Sequence, residues 1–177
     1  MKIIKSHLEG AAEIECYPHR DKRGWFTRYY CQDELKEIND DLKIVQINSS
    51  LTKLAGTIRG LHLQIAPHEE DKIVRCISGR IYDVILDNRK ESNTYGQWHG
   101  VILDSEKMNM VYVPKGFAHG FQTLVANTQV LYLHTQSHSP EAEDGFHCNS
   151  PELNIPWPLD IKDLSDRDKK LEYFTNN

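Results

Sequence analysis

The run Lys72-Ile73-Val74-Arg75-Cys76-Ile77-Ser78-Gly79-Arg80-Ile81-Tyr82-Asp83-Val84-Ile85-Leu86-Asp87 decides the fold. Two β-favouring halves, 72–77 and 80–87, flank Ser78-Gly79, a tight two-residue turn of the hairpin type. Working outward, residues 43–52 and 57–64 read as strands before it, and 97–103, 110–114, 120–125 and 129–135 as strands after it. Residues 13–19 and 24–31 are also β-favouring, the second notably aromatic, and Asp21-Lys22-Arg23-Gly24 turns between them. Many short strands with glycine turns predict an all-β, two-sheet jelly roll, whose open end is a natural small-molecule site. Helices are few. Asp33 reads as a cap, and Leu35, Ile38 and Leu42 predict a short amphipathic helix over 34–42. A last short helix is expected from Ser165, because Ser165-x-x-Asp168 has the form of a capping box.

The chain has 177 residues, which suits a single domain spanning 1–177 with its own core. There is no internal repeat and no linker long enough to divide it. The net charge of -5 argues against a general nucleic-acid binder. No apolar run approaches membrane-spanning length, and the start is too charged for a signal peptide, so a cytoplasmic location is expected. Four cysteines, Cys16, Cys31, Cys76 and Cys148, include no C-x-x-C pair and read as small buried side chains rather than a zinc or redox motif.

Two motifs carry chemistry. Arg59-Gly60-Leu61-His62 and Pro114-Lys115-Gly116-Phe117-Ala118-His119 each place a histidine just past a glycine in strand-rich surroundings, and Lys72 lies between them. Imidazole, guanidinium and ammonium groups gathered in a β-scaffold can bind anions and move protons, which points to an enzyme. His62 alone would pass for a core histidine. Tyr132, in the apolar run Val130-Leu131-Tyr132-Leu133, would pass for core packing, and Asp168 for a helix cap. A metal site is the second reading, built from His62, Glu69 or Glu70, and His119; against it, Gln64 stands two after His62, where a His-x-His pair would need a second histidine. A sugar-binding or regulatory module would need the anion contacts but neither Tyr132 nor a partner for His62.

The ordered set Arg23-Gly24-x-Phe26, Gln46-x-Asn48-x-Ser50, Arg59-Gly-Leu-His62, Lys72-Ile-Val-Arg75, Tyr112-Val-Pro-Lys-Gly-Phe-Ala-His119, Leu131-Tyr132, Pro140-Glu141-x-Glu143-x-Gly145, Ile155-Pro156-Trp157-Pro158 and Leu164-Ser165-Asp166-Arg167-Asp168 resembles the dTDP-4-dehydrorhamnose 3,5-epimerase family from about residue 14 to 170. The resemblance implies a cupin jelly roll, normally a homodimer, and an enzyme without metal or cofactor. Such an enzyme inverts carbons beside the ketone of a nucleotide-linked 4-keto-6-deoxy sugar, at C3, C5 or both, in a deoxysugar or polysaccharide pathway. It implies that His62 is the base, Asp168 its orienting carboxylate, Tyr132 the acid on the other face and Lys72 the partner of the enolate oxygen. Arg23, Arg59 and His119 would contact the diphosphate, and Phe26, Gln46, Asn48 and Glu143 other parts of the substrate. Arg28 stands where the family usually has Glu, His138 where an aromatic ring often meets the base, Leu63 for the usual Tyr, and His147 and Cys148 in an Arg-x-Trp-like segment. These departures put the nucleotide in question, so a GDP, CDP or UDP sugar remains an alternative.

Overall fold

The computed structural model describes residues 1–176. In chain order the strands are β1 (Lys2–Lys5), β2 (Ala12–Glu15), β3 (His19–Asp21), β4 (Gly24–Phe26), β5 (Gln46–Thr52), β6 (Ile58–Gln64), β7 (Lys72–Ser78), β8 (Arg80–Asp87), β9 (Trp98–Asp104), β10 (Met110–Val113), β11 (Phe117–Thr123), β12 (Thr128–His134) and β13 (Glu143–Gly145). They form a cupin-type jelly roll. One sheet runs β1-β2-β10-β7-β12-β5 and the other β13-β6-β11-β8-β9, while β3 and β4 make a separate hairpin.

The decisive run folds differently from its hairpin reading. Ser78-Gly79 does reverse the chain, and Gly79 takes a positive φ of 85° beside Thr128. But β7 pairs with β10 and β12, while β8 pairs with β11 and β9. The two strands therefore face each other across the interior instead of pairing edge to edge. Val74 and Cys76 from β7 meet Ile81 and Ile85 from β8 in one buried cluster with Val111, Phe117, Phe121 and Val130. A tight turn between apolar runs fits either arrangement; burial of both runs in one core selects the arch.

The 34–42 helix shrinks to a single turn, α1 (Gln32–Leu35). Asp33 does not cap it and pairs with Lys36 instead. The Asn39 side chain accepts the Asp41 amide, a local turn that competes with helix. The apolar spacing still serves packing: Leu35 and Leu42 are buried, with Ile38 partly so, on the outer face of the six-stranded sheet with Ile73, Tyr112 and Leu133. Strand structure in the 24–31 run stops at Phe26, and Tyr29 and Tyr30 join this outer layer. The final helix is a 3₁₀ turn, Asp168–Lys170. Cys16, Cys76 and Cys148 are buried and Cys31 partly so; all four are free thiols.

One glycine fixes how the two central strands of the smaller sheet meet. Gly60 has φ 108°, and a Cβ there would lie 2.6 Å from the His119 carbonyl oxygen and 2.8 Å from Gly120 Cα, both backbone atoms that cannot yield. Replacing Gly60 by Ala should cost about 2 kcal/mol or more, from strain plus the forced separation of β6 and β11. Chemical denaturation checks this; an unchanged midpoint would contradict it.

Candidate active site

The open end of the sandwich holds a cavity of about 900 Å³. Both sheets line it: Gln46, Asn48, Lys72, Tyr132 and His134 from the larger, Arg59, His62, His119 and Glu143 from the smaller, with Asp168 from the C-terminal segment. Strand alternation explains the share of the larger sheet; on β6, Arg59 and His62 are three apart, and the register with β11 shifts between them. Arg59 and His62 lie on β6, and His62 sits beside His119 of β11 and Gly145 of β13 in the register. Tyr132 and His134 sit two apart on β12, and so share a face.

His62 Nε2 lies 2.6 Å from Asp168 Oδ1, and Asp168 is only 3% exposed while His62 is 32% exposed. The Gly60 amide donates to the other carboxylate oxygen at 3.4 Å. Burial opposes ionisation of Asp168, but the bonds from His62, the Gly60 amide and Ser165 outweigh it and hold the carboxyl below its usual range. In the tautomer that donates Nε2–H to this carboxylate, the Nδ1 lone pair of His62 is free. The Asp168 amide bonds the Ser165 hydroxyl at 3.0 Å, as in a capping box, while its carboxylate lies against His62.

Across the cavity, the Tyr132 hydroxyl meets Ser50 Oγ at 2.9 Å. Burial pushes its pKa up to about 12, with the Ser50 bond and the Arg59 charge acting the other way. The group is therefore a neutral phenol, able to donate a proton at neutral pH. The Tyr132 ring lies 6.3 Å from that of His119, edge to face, so the two walls approach closely here. His119 is 6% exposed and bonds Asp83 at 2.8 Å, with Asp83 fully buried. Lys72 is buried and pairs with Glu70 at 3.1 Å. Arg59 is anchored through Nε to the Thr52 hydroxyl at 2.9 Å, and it lines the cavity.

At the rim, Glu143 accepts from Arg167 at 2.6 Å and meets His138 Nε2 at 3.1 Å; it is held below the usual carboxylate range by these two partners in spite of burial. Gln46 accepts the His138 amide at 3.1 Å, and Asn48 meets His134 Nε2 at 3.4 Å.

Three expected substrate contacts do not reach this cavity. Arg23 and Phe26 sit on the β3–β4 hairpin, in a separate depression, with Phe26 70% exposed and the Arg23 guanidinium held by Asp21. Arg28 is tied to Glu34. Among the described residues β3 and β4 pair only with each other.

The metal reading finds no matching arrangement. Among the described residues no group of three His, Cys, Asp or Glu side chains is placed to hold an ion. His62 and His119 each commit Nε2 to their own carboxylate. Gln64, in the broken His-x-His pair, is buried and ties the His68 carbonyl and the Ser139 amide.

Asp83 and His134 were not legible as site residues. Asp83 lies in an apolar strand, where a lone buried carboxylate is the one available signal, and its partner is 36 residues away. His134 acquires its neighbours Glu70 and Asn48 through strand pairing, 64 and 86 residues distant.

A jelly roll whose cavity sets a histidine–carboxylate pair against a buried phenol defines an acid–base enzyme of the cupin epimerase class. The profile of the dTDP-4-dehydrorhamnose 3,5-epimerase family matches residues 5–176, and the chain belongs to that family; it is an isomerase acting on sugar nucleotides. It is 36% identical over 179 aligned residues to the dTDP-4-dehydrorhamnose 3,5-epimerase of Methanothermobacter thermautotrophicus, covering 99% of this chain and 96% of that protein. A crystal structure of the enzyme from Bacillus anthracis with TDP and PPi bound superposes with a TM-score of 0.94 at 41% identity, covering 98% of this chain and 99% of that one. The dTDP-4-dehydrorhamnose 3-epimerase of Streptomyces niveus is 35% identical over 170 residues, covering 96% of this chain and 82% of that protein.

A carboxyl held below its ordinary value contributes stability that is complete above the unfolded value, about 3.9, and is lost as pH falls through the folded value. Asp168→Asn should therefore be less stable than the wild type at pH 7 by about 1–3 kcal/mol, and the gap should close below about pH 4. Denaturant titrations across this range decide; a gap independent of pH would contradict the assignment.

Proposed function

We propose that this epimerase inverts C3, C5 or both in dTDP-4-dehydro-6-deoxyglucose through an enolate, and that it uses no metal or cofactor. The observation that carries the reading is the facing of His62–Asp168 on one sheet and Tyr132 on the other across a single cavity. His62 Nδ1 takes the proton from the carbon next to the C4 ketone, and Asp168 stabilises the imidazolium that forms. The electron pair moves onto the ketone oxygen, beside the Lys72 ammonium. Tyr132 protonates the same carbon from the opposite face, which inverts it, and the carbonyl reforms. Arg59 and His119 offer cationic and hydrogen-bonding groups to the diphosphate, with Gln46, Asn48, His138 and Glu143 at the rim. Binding of TDP by the Bacillus anthracis enzyme supports a thymidine nucleotide. The 3-epimerase of Streptomyces niveus keeps inversion at C3 alone as the second reading.

The protein acts as a cytoplasmic homodimer. The β3–β4 hairpin presents Trp25 at 51% and Phe26 at 70% exposure, and the edge strand β5 presents Ile47 at 61% and Leu51 at 55%. Apolar groups so displayed suit a second copy. A hairpin that leaves its own chain would carry Arg23, Phe26 and Arg28 to the partner's cavity. No helix among the described residues is long and apolar enough to cross a membrane.

Incubation with a panel of keto-sugar nucleotides in deuterated water, followed by NMR, reads substrate, position and reaction together. His62→Ala should reduce deuterium wash-in by about a thousandfold at every position. Tyr132→Phe should keep wash-in while net inversion slows by about a hundredfold. Wash-in surviving in His62→Ala, or absent with every substrate for the wild type, would sink the reading; activity lost on chelation would overturn its metal-free form. Sedimentation should give twice the chain mass, and Phe26→Ala should raise KM more than it lowers kcat. A monomer with full activity would refute the shared site.

A further inference from the structure

The cavity contains a second cluster, of which the reaction just described uses Lys72 alone. Glu70 Oε1 lies 3.1 Å from Lys72 Nζ, and Glu70 Oε2 lies 2.7 Å from His134 Nδ1. The three side chains are 7%, 10% and 12% exposed. His134 is the cross-strand partner of Lys72, and its ring stacks on Tyr132 at 6.2 Å and 29°. The cluster thus links β7, which carries Lys72, to β12, which carries Tyr132.

The chain between Glu70 and Lys72 is itself pinned. Asp71 accepts from the Tyr112 hydroxyl at 2.8 Å and the Lys115 amide at 3.1 Å, and its own amide donates to the Thr135 hydroxyl at 2.8 Å. Glu70 therefore projects from a fixed backbone. Burial opposes its ionisation, but His134 and Lys72 together hold the carboxyl below its usual range. One carboxylate serves two donors, one from each strand.

Lysine is a point charge on a flexible four-carbon stem. An ammonium lowers the barrier to enolisation most when it is in place before charge develops. A displacement of about 1 Å in such a group can cost about a hundredfold in rate. The stem alone cannot supply that order; a second anchor can.

We propose that Glu70 is a positioning residue: with His134 as its anchor on β12, it clamps the Lys72 ammonium where the enolate oxygen forms. The inference rests on the role given to Lys72 above. His134 Nδ1 donates to Glu70, and its Nε2 faces Asn48.

The test compares Lys72→Ala, Glu70→Gln and His134→Gln in the full-length enzyme, with dTDP-4-dehydro-6-deoxyglucose as substrate. Wash-in, kcat, KM and the melting temperature are measured for each. Lys72→Ala should lose about a hundredfold or more in wash-in. Glu70→Gln should lose about ten- to hundredfold in kcat and wash-in together, with KM within about threefold of the wild type. His134→Gln should shift the same quantities in the same direction by less. Glu70→Gln with normal kcat while Lys72→Ala is crippled overturns the clamp alone. Lys72→Ala at the wild-type rate overturns the role of Lys72 and the clamp with it. A loss confined to KM, or to melting temperature with kcat intact, also overturns the clamp. Should Glu70→Gln fail to fold, the kcat–KM split in His134→Gln decides by the same criteria.

Discussion

The bond between His62 and Asp168 joins parts of the chain 106 residues apart, and the site depends on it. It does two things at once. It selects the tautomer that leaves Nδ1 free, and it seats the C-terminal segment against β6, where the Gly60 amide shares the same carboxylate. The bond also gives Gly60 a second role, through its amide. Close approach of β6 to β11 places His62 beside His119, and a side chain at residue 60 would push them apart.

The electrostatics of the cavity follow one pattern. His62, His119, His134 and His138 each meet a carboxylate: Asp168, Asp83, Glu70 and Glu143. A carboxylate on one imidazole nitrogen fixes the tautomer and so the role of the other. Two other cations are treated the same way, Lys72 held by Glu70 and Arg167 by Glu143, while Arg59 is anchored by the Thr52 hydroxyl. The phenol of Tyr132 instead meets the Ser50 hydroxyl, and burial keeps it protonated. Inversion needs such asymmetry: a base on one wall, and on the other an acid that does not lose its proton early.

Much of this was legible in the chain. The strand series, the turn at Asp21–Gly24 and the residues Arg59, His62, Lys72, His119, Tyr132 and Asp168 could be read from motif and pattern, and the cavity gathers those six. The failures share a cause. A tight turn at Ser78-Gly79 does not say whether the strands it joins pair or stack, because that depends on what each buries. Leu35, Ile38 and Leu42 have helical spacing, but Asn39 offers the backbone a competing turn, so only their packing survives. The partners Asp83 and Glu70 are set by strand register, which a linear reading does not contain. Arg23 and Phe26 lie in a separate depression on the β3–β4 hairpin and Arg28 is tied to Glu34, placements that a reading of strands and motifs does not contain.

The central claim is that two different groups handle the proton on opposite faces of the sugar ring. A single turnover in deuterated water, with enzyme in excess and quenched early, tests it directly. Two-group inversion requires deuterium at each inverted carbon of the first product formed. Product that retains the original hydrogen at an inverted carbon would show that one group both takes and returns the proton, and would contradict the account.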